Sequence, residues 1–455
     1  MPTKPMLTKS INNIDTANML NALAAESGVN APKVVNGDIS SLKTFGRYVT
    51  QYQATQNNFI NALVNRIGRV IITSRLYKNP WSIFKKGVLE YGETIEEIFV
   101  AMAKPYTFDP EKTENTDFKR YIPDVKAVFH TLNFQKFYPT TVSEAELRQA
   151  FLSFEGVNDL ITRIIEQVYT GANYDEFVAM KYLLARAILD GNVHSVNIPE
   201  INADNARAVT TTMVNYARKM GYMSTAYNTA GVNTYSDISK LYMIITADIQ
   251  SILDVEVLAL SFNMDKAELL GRQIGVDSFG DFDKERLNML FADDPNYIPL
   301  TTDDINNLKT IAGVLCDENF FMIFDNNIFM TSIFSPVGLY WTYYYHTWKT
   351  FSTSPFANAV VFTTQNPAIT SVTISPATAT VDKGQSIKFT ADVVTTGFAD
   401  TSVFWEVTGS DMTSTITQDG VLTVGTAETE TTLTVKATSK YDSTKSGTAT
   451  VTINQ

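Results

Sequence analysis

Apolar residues recur at helical spacing in two parts of the first half of the chain. Phe59, Leu63 and Ile67 repeat every fourth position, which predicts an amphipathic helix over residues 56–72. A longer stripe predicts a second helix over residues 155–170, with charged residues between the apolar ones. That stripe consists of Val157, Leu160, Ile161, Ile164, Ile165 and Val168.

A third helix is predicted directly after the second. Gly171 is expected to end the second helix, and Asn173 with Glu176 three residues later is typical of a helix cap. The apolar positions are Phe177, Met180, Leu184 and Ile188, and Gly191 is expected to end the helix. This stripe indicates core packing and not a cofactor site.

Residues 80–104 predict a two-stranded β-ribbon. The segment PWSIFKKGVLEYGETIEEIFVAMAK holds short β-capable runs separated by turns at 85–87 and 91–92. An isolated hairpin is marginally stable in water, so the ribbon must lie on this chain or on another one. If it lies on another subunit, the residues expected to make the contact are Phe84, Lys85, Lys86, Gly87, Glu93, Ile95, Glu96 and Glu97.

Strands are predicted in the following part of the chain. LYMIITADI favours a buried strand, whereas ILDVEVLALSFN and MDKAELLGRQIG favour helices. FFMIFDNNIFM predicts a hairpin that turns at residues 325–327, because asparagine tolerates positive φ. GLYWTYYYHTW and ANAVVFTT predict a second strand pair.

The segment GLYWTYYYHTW is unusually aromatic. Successive side chains of a strand point to opposite faces, and here both faces carry aromatic rings, so both are expected to be covered by protein. His346 has no acid within the strand and is expected to be a buried or interfacial hydrogen-bonding group. The predicted buried aromatic residues are Tyr340, Trp341, Tyr343, Tyr344, Tyr345, His346 and Trp348.

The composition changes after Thr364. Residues 369–455 are rich in threonine and show six short alternating runs divided by turns, which predicts an all-β sandwich with Trp405 in its core. Asn366-Pro367 in the linker, residues 365–368, is expected to act as a hinge. Residues 1–50 are polar and mixed, which is typical of an N-terminal arm with one short helix near residues 17–25.

Length, charge and composition narrow the classes of protein. A chain of 455 residues exceeds a single core and predicts two or more domains. A net charge of −12 argues against sequence-specific binding of nucleic acid, although a container for DNA remains compatible with it. With 11% aromatic and 18% charged residues, the chain has either a large core or surfaces that meet other protein.

The sequence shows no constellation that indicates catalysis. Its three histidines are far apart, and zinc, phosphate-loop and nucleophile-elbow motifs do not occur, so we expect no enzyme, metal or cofactor. Asp277, Asp281 and Asp283 fit a turn into a capped helix better than a Ca²⁺ loop, and Asp303-Asp304 suits a helix start. Cys316 lies among apolar residues and is expected to be buried. The first residues lack the apolar core of a signal peptide, and no apolar run is long enough for a membrane span.

Several segments together resemble one family. These are NNFINALVNRIG, FKKG, TIEEIF, LDVEVLALSFNM, GLYWTYYYHTW and FANAVVF, in this order. The sequence from about residue 51 onward is similar to the major capsid proteins of small short-tailed bacteriophages, the phi-29-like Picovirinae. Its tail, with ITSVTISPATATVDKGQSIKF and VFWEVTG, resembles a group-2 bacterial Ig-like domain.

The resemblance implies an α+β capsid fold of the HK-97 type in residues 51–364, followed by an immunoglobulin-like sandwich in residues 369–455. It implies an extended loop at about 80–104, spine helices at about 155–190 and an axial domain at about 192–330. The implied function is self-assembly into an icosahedral or prolate shell around double-stranded DNA. The implied partners are further copies in pentamers and hexamers, a scaffolding protein, a portal and head fibres, with host-surface glycans for the sandwich. The implied location is the virion, after assembly in the bacterial cytoplasm.

Two alternatives remain open at this point. A secreted adhesin would carry such a sandwich, but it predicts a signal peptide and a wall anchor. A cytoplasmic enzyme with a carbohydrate-binding tail predicts a clustered acidic or histidine site. Neither feature is apparent in the sequence.

Overall fold

The computed structural model describes residues 13–454, except residues 53, 57, 60–61, 63–76, 90–93, 104, 106–122, 124, 154–155, 157–165, 259–271 and 412. Most of the helix predicted over 56–72, most of the stripe between Val157 and Val168, and most of the predicted MDKAELLGRQIG helix lie outside the described residues. The end of that last prediction is wrong, because Gln273–Val276 form a strand. The helices are α1 (Asn13–Glu26), α2 (Ile39–Gln51), α3 (Glu144–Ala150), α4 (Gly171–Leu189), α5 (Ala206–Met220), α6 (Ala247–Leu258), α7 (Lys284–Leu290) and α8 (Thr302–Leu308). None of the described helices is both long and apolar enough to cross a membrane.

Among the described residues before residue 364, the strands form two larger sheets and a separate two-stranded sheet. These strands are β1 (Lys85–Val88), β2 (Ile95–Val100), β3 (Val125–His130), β4 (Phe134–Ser143), β5 (His194–Asn197), β6 (Leu241–Thr246), β7 (Gln273–Val276), β8 (Ile311–Asp317), β9 (Phe321–Ser335), β10 (Tyr340–Thr353) and β11 (Ala359–Thr363). A four-stranded sheet has the order β1-β9-β10-β4, and a five-stranded sheet has the order β5-β11-β8-β6-β7. The separate two-stranded sheet consists of β2 and β3. The predicted buried strand LYMIITADI is confirmed by β6, and every residue of its neighbour β8 is buried.

The N-terminal residues form a folded layer and not an extended arm. Helix α2 presents Leu42, Phe45 and Val49 on one face, and these side chains are fully buried. They share a hydrophobic cluster with Trp341 and Tyr343 of β10. The short helix expected near residues 17–25 is confirmed by α1. The expectation that the rest of residues 13–51 is an arm is wrong, because an apolar stripe at helical spacing fixes α2 on the sheet.

The predicted strand pairings at 80–104 and 320–330 are also wrong. Strand β1 pairs in parallel with β9, whereas β2 pairs antiparallel with β3, so residues 85–88 and 95–100 do not form one ribbon. Residues 325–327 lie inside the single long strand β9, and the chain turns only at residues 336–339. Strand β10 pairs with β9 and β4 and not with β11, which lies between β5 and β8.

Helix α4 is the long helix against the four-stranded sheet. It continues from a π-helical turn over Glu166–Thr170, so Gly171 does not end a helix. The predicted cap by Asn173 is wrong, because its side-chain amide donates to the carbonyl of Tyr77 and Glu176 is buried in the helix interior. The predicted end is confirmed, since α4 stops at Leu189 and Gly191 has a φ of +71°.

The remaining strands form the predicted β-sandwich. They are β12 (Ala368–Ser375), β13 (Thr378–Asp382), β14 (Ser386–Lys388), β15 (Thr390–Thr396), β16 (Val403–Thr408), β17 (Thr415–Ile416), β18 (Val421–Thr423), β19 (Thr432–Ser439) and β20 (Ser446–Asn454). One sheet of the sandwich has four strands in the order β13-β20-β19-β16. The other strands form a two-stranded sheet, β12-β15, and a three-stranded sheet, β14-β18-β17. Trp405 is buried in the core, as predicted.

The linker before the sandwich is held on both sides and is not a free hinge. The amide of Asn197 donates to the carbonyl of Gln365 at 2.7 Å, and the Gln365 amide donates to Asn307 Oδ1 at 3.0 Å. Phe398 of the sandwich is buried in the hydrophobic core that contains Ile188. The hydroxyl of Thr401 donates to the carbonyl of Asp190 at 3.1 Å.

Candidate functional site

The pair of strands β2 and β3, residues 95–100 and 125–130, which we call the hairpin, uses one face to bind its own chain. On this inner face the Phe99 ring stacks on Phe356 with a centroid distance of 5.6 Å. The ammonium of Lys126 donates to the carbonyl of Ala230 at 3.0 Å. These contacts, with those of His130, attach the hairpin to the end of β10, to the segment that follows β10 and to the segment around Ala230.

His130 and Glu97 form a buried polar cluster at the base of the hairpin. The Nε2 atom of His130 lies 3.1 Å from a Glu97 carboxylate oxygen, and its Nδ1 atom lies 2.8 Å from the Ser352 hydroxyl. The other Glu97 oxygen accepts from the Ser354 hydroxyl at 2.7 Å. An ionised carboxylate only accepts, so Nε2 donates to Glu97, and in the neutral ring Nδ1 accepts from Ser352. Each polar group of the cluster thereby has a partner.

The outer face of the same hairpin is largely apolar and exposed. The register places Ile98 opposite Ala127 and Val100 opposite Val125, and on the same face Phe129 lies opposite the exposed Glu96. Phe129 is 61% exposed and Ile98 is 56% exposed. Isolated apolar side chains on a protein surface need no explanation. Neighbouring exposed apolar side chains across a pair of strands indicate an interaction surface.

The four-stranded sheet also has one face without charge. On strands β4, β10 and β9, the residues that point to this side include no Asp, Glu, Lys or Arg. They are Gln135, Phe137, Pro139, Thr141, Ser143, Tyr340, Thr342, Tyr344, His346, Trp348, Asn327, Phe329, Thr331, Ile333 and Ser335. We call this set the uncharged sheet face.

Aromatic rings on the uncharged sheet face contact one another. The His346 ring stacks on Phe329 with a centroid distance of 4.5 Å, and its Nε2 atom lies 3.1 Å from the Thr331 hydroxyl. Phe137 lies within 5.8 Å of His346 but remains 56% exposed. The face is therefore an ordered apolar and aromatic surface that this chain leaves partly open.

The two faces of the aromatic strand β10 differ in burial. Trp341 and Tyr343 point to the opposite side and are almost fully buried against α1 and α2. Tyr345, on that same side, stacks near Tyr169, and burial raises its pKa. Tyr344, His346 and Trp348 are half-buried on the uncharged sheet face, whereas Tyr340 is exposed. Of the seven residues predicted to be buried, Trp341 and Tyr343 are buried within this chain and four are half-buried. The prediction is wrong for Tyr340, which is exposed at the open end of the strand.

The predicted contact residues before β2 are engaged inside the subunit. Phe84 is buried against Phe321 with a ring-centroid distance of 4.5 Å. The Lys86 ammonium donates to the carbonyl of Glu318 at 2.6 Å, and Gly87 has a φ of +134° beside it. These residues lead into and form the edge strand β1 and not a free loop, and their contact with another subunit stays a prediction.

Of the other predicted contact residues, Ile95, Glu96 and Glu97 lie on the hairpin, and Glu93 lies outside the described residues. Sequence reasoning missed β3 as their partner. The alternation of Val125, Ala127 and Phe129 with polar residues was a signal for this strand.

Four charged side chains meet between α4 and the sheet, and we call them the buried ion network. Lys349 Nζ lies 2.7 Å from Asp325 Oδ1 and also donates to Glu176. Lys85 Nζ lies 2.6 Å from Asp325 Oδ2 and 3.2 Å from Glu176 Oε2. Burial alone would raise the pKa of both carboxyl groups, but the two ammonium groups outweigh it and hold each pKa below its ordinary value. The network is balanced in charge and ties β1, α4, β9 and β10 together.

The other candidate groups have structural roles. Lys181 binds Asp277 at 2.7 Å, and Asp283 caps α7, which confirms the prediction of a turn into a capped helix. Thr301 and Asp304 form a capping box on α8. Cys316 is fully buried, and burial raises the pKa of its thiol.

Comparison with known proteins gives consistent results. Residues 20–363 match the family described as Phi29-like phage major capsid protein, and residues 368–451 match the group-2 bacterial Ig-like domain. The chain is 37% identical over 397 residues to the major capsid protein of Bacillus phage B103, covering 85% of this chain and 81% of that protein. It is 36% identical over 396 residues, with the same coverage, to the major capsid protein of Bacillus phage PZA.

One solved structure supports the fold. The chain superposes on a protein of the capsid structure of Staphylococcus phage Andhra with a TM-score of 0.50 and 15% identity. The match covers 65% of this chain and 86% of that one.

Proposed function

The chain belongs to the Phi29-like phage major capsid proteins, with an HK97-like capsid fold and a C-terminal Ig-like domain, and from this premise we propose how its copies join in the shell. The outer face of the hairpin, around Phe129 and Ile98, docks on the uncharged sheet face of a neighbouring copy. The carrying observation is that the hairpin face is largely apolar, the sheet face is uncharged, and both remain at least partly exposed within one subunit.

The energetics favour such a contact. Ile98, Val100, Val125 and Phe129 are each at least half exposed in the single chain. Complete burial of such a side chain contributes about 1.5–3 kcal/mol, so covering the exposed half contributes about 1 kcal/mol per residue. An interface that repeats in every subunit of a closed shell sums these modest terms.

The base of the hairpin supports the same role. The cluster of His130, Glu97, Ser352 and Ser354 fixes the hairpin direction on the subunit without covering its outer face. A preorganised hairpin loses less conformational entropy on docking than a free loop would. The hairpin then bends differently in five-fold and six-fold rings, while its base stays fixed on the subunit.

Further partners belong to the same proposal. The assembly takes place in the bacterial cytoplasm with a scaffolding protein and a portal, and the shell encloses double-stranded DNA without reading its sequence. The Ig-like domain lies on the outer surface, where it contacts neighbouring subunits, head fibres or host-surface glycans. Its exposed Phe404 and Val394 support a contact role for the sandwich.

The test is assembly of a hairpin variant. We expect Phe129→Asp to abolish closed shells in electron micrographs of the full chain with scaffolding protein supplied, because a carboxylate would have to be desolvated at the contact. Phe137→Asp on the uncharged sheet face should have the same effect. Tyr222→Asp, at a residue that is 75% exposed outside both surfaces, is the matched control and should still form shells.

Thermal unfolding of the unassembled variants shows whether the subunit fold is kept. Shells of ordinary size from both Phe129→Asp and Phe137→Asp would refute the docking proposal. A wild-type chain that stays monomeric under all assembly conditions would refute the assembly function as a whole.

A further inference from the structure

Three cations converge on one cavity at the N-terminal helices. The cavity has a volume of about 570 Å³ and is lined by Lys43 and Arg47 from α2 and by Arg148 from α3. All three side chains are exposed, and the lining includes no carboxylate. The chain has a net charge of −12, so the positive charge of this cavity is opposite in sign to that of the protein as a whole.

The close approach of α2 to the end of α3 creates this arrangement. A Cβ atom at Gly46 would lie 2.4 Å from the Cβ atom of Phe151, so any larger residue would force the helices apart. Lys43 and Arg47 are four residues apart and therefore lie on the same side of α2. Glycine at position 46 thus brings Arg47 and Arg148 to the same cavity.

The cations have spare binding capacity. Arg148 makes an ion pair with Glu144 one turn earlier in α3, but its guanidinium has five N–H donors and most of them remain available. The cavity therefore keeps an excess of positive charge after this pair. Guanidinium groups match the oxygens of a phosphate in a two-point geometry, and a lysine adds a compact charge.

We propose that the Lys43–Arg47–Arg148 cavity binds phosphate groups of the double-stranded DNA backbone. This inference rests on the proposed function, because it takes the enclosed DNA as the ligand. Exposed cations favour a long polyanion over a small enclosed ligand, since binding releases the counterions condensed on DNA. The contact carries no sequence information, because backbone phosphates are the same at every base pair.

The experiment measures how the affinity for DNA depends on salt. The unassembled full chain is titrated against a short fluorescein-labelled duplex of mixed sequence, and anisotropy gives the association constant at several salt concentrations. Three phosphate contacts predict a slope of log K against log salt of about −2.7, which is about a 40-fold loss for a four-fold rise in salt. Each single variant, Lys43→Gln, Arg47→Gln or Arg148→Gln, should bring the slope to about −1.8.

A matched control separates the cavity from the net charge. The triple variant Lys43→Gln/Arg47→Gln/Arg148→Gln should lose measurable duplex binding. The triple variant Arg207→Gln/Lys284→Gln/Lys388→Gln removes the same charge from exposed positions outside the cavity and should keep the wild-type slope. Equal slopes in the two triple variants would overturn the proposal.

Competition experiments identify the ligand. Inorganic phosphate and polyglutamate are added in separate arms to the wild-type chain and to the cavity triple variant. The assignment to DNA would be overturned if phosphate or polyglutamate bound the wild-type chain but not the cavity triple variant, while the duplex bound both chains equally. Electron microscopy of the cavity triple variant should still show shells, so a failure of DNA binding is distinguishable from a failure of assembly.

Discussion

The buried ion network gives the sharpest test of how the subunit is held together. In Lys349→Met, Glu176 and Asp325 keep only Lys85 as a cationic partner. The side chains of Lys349, Glu176 and Asp325 are 6%, 4% and 11% exposed, so water cannot replace the lost ammonium group. Removing one partner from a buried charge pair costs about 3–5 kcal/mol, and we expect this loss of unfolding free energy at pH 7.

The loss should depend on pH in a defined direction. In the wild-type chain the folded-state pKa values of Glu176 and Asp325 are below their ordinary values, so their stabilisation is present above the ordinary carboxyl range and is lost only as pH falls through the folded values. In Lys349→Met, burial outweighs the single remaining lysine and raises the pKa of one carboxyl group above its ordinary value. That group takes up a proton on folding in mild acid. The difference between variant and wild type should therefore shrink between pH 7 and about pH 5.

The assay can be confined to the capsid part of the chain. Three of the four tryptophans, Trp81, Trp341 and Trp348, lie before residue 364, and Trp405 lies in the sandwich. In a Trp405→Phe background, tryptophan fluorescence during urea unfolding reports the capsid part alone. Lys240→Met is the matched control, because Lys240 is 57% exposed in its pair with Glu318 and should change stability by less than about 0.5 kcal/mol.

Charge balance provides a second check on the same reasoning. Lys349→Met combined with Glu176→Gln leaves Lys85 and Asp325 as a matched pair, so the double variant should be more stable than the sum of the two single losses. A loss below about 1 kcal/mol in Lys349→Met, or a loss that is the same at both pH values, would refute the view of a desolvated and balanced network.

Three further predictions concern other parts of the subunit. Phe398→Ala should lower the unfolding free energy of the capsid part by about 3 kcal/mol in the fluorescence assay, and a loss below about 1 kcal/mol would show that the ring is not part of this core. Because burial raises the pKa of the Cys316 thiol, Ellman's reagent at pH 8 should react only after unfolding, and fast reaction with the native chain would contradict that burial. Thr301→Ala should cost about 1 kcal/mol through loss of the capping box on α8, whereas its exposed neighbour Thr302→Ala should cost less, and equal costs would contradict the cap.

Local patterns in the sequence predicted local structure well. The end of α4 at Gly191, strand β6, the caps of α7 and α8 and the core position of Trp405 follow from spacing, capping and turn residues. Each of these depends on neighbours within a few positions, where the physical rules for helices and strands act directly.

The failed predictions depend on contacts between distant residues. The parallel pairing of β1 with β9 joins Lys85 to residue 323, and the ion network joins four separate elements. Asp325 and Asn326 have the composition of a turn, but inside a continuous strand Asp325 accepts from Lys349, and Asn326 Oδ1 accepts from the Thr350 hydroxyl. The outer face of the hairpin could not be predicted from local patterns either, because the partner strand β3 begins 25 residues after β2 ends.

Phe398 and the contacts of Gln365 have a consequence for the assembled particle. A sandwich attached at two points cannot swivel independently, so the distance between neighbouring sandwiches equals the lattice repeat of the shell. Any molecule that bridges two sandwiches must match this repeat. A set of bifunctional linkers of graded length would then measure the lattice repeat, because the length that bridges best equals the distance between neighbouring sandwiches.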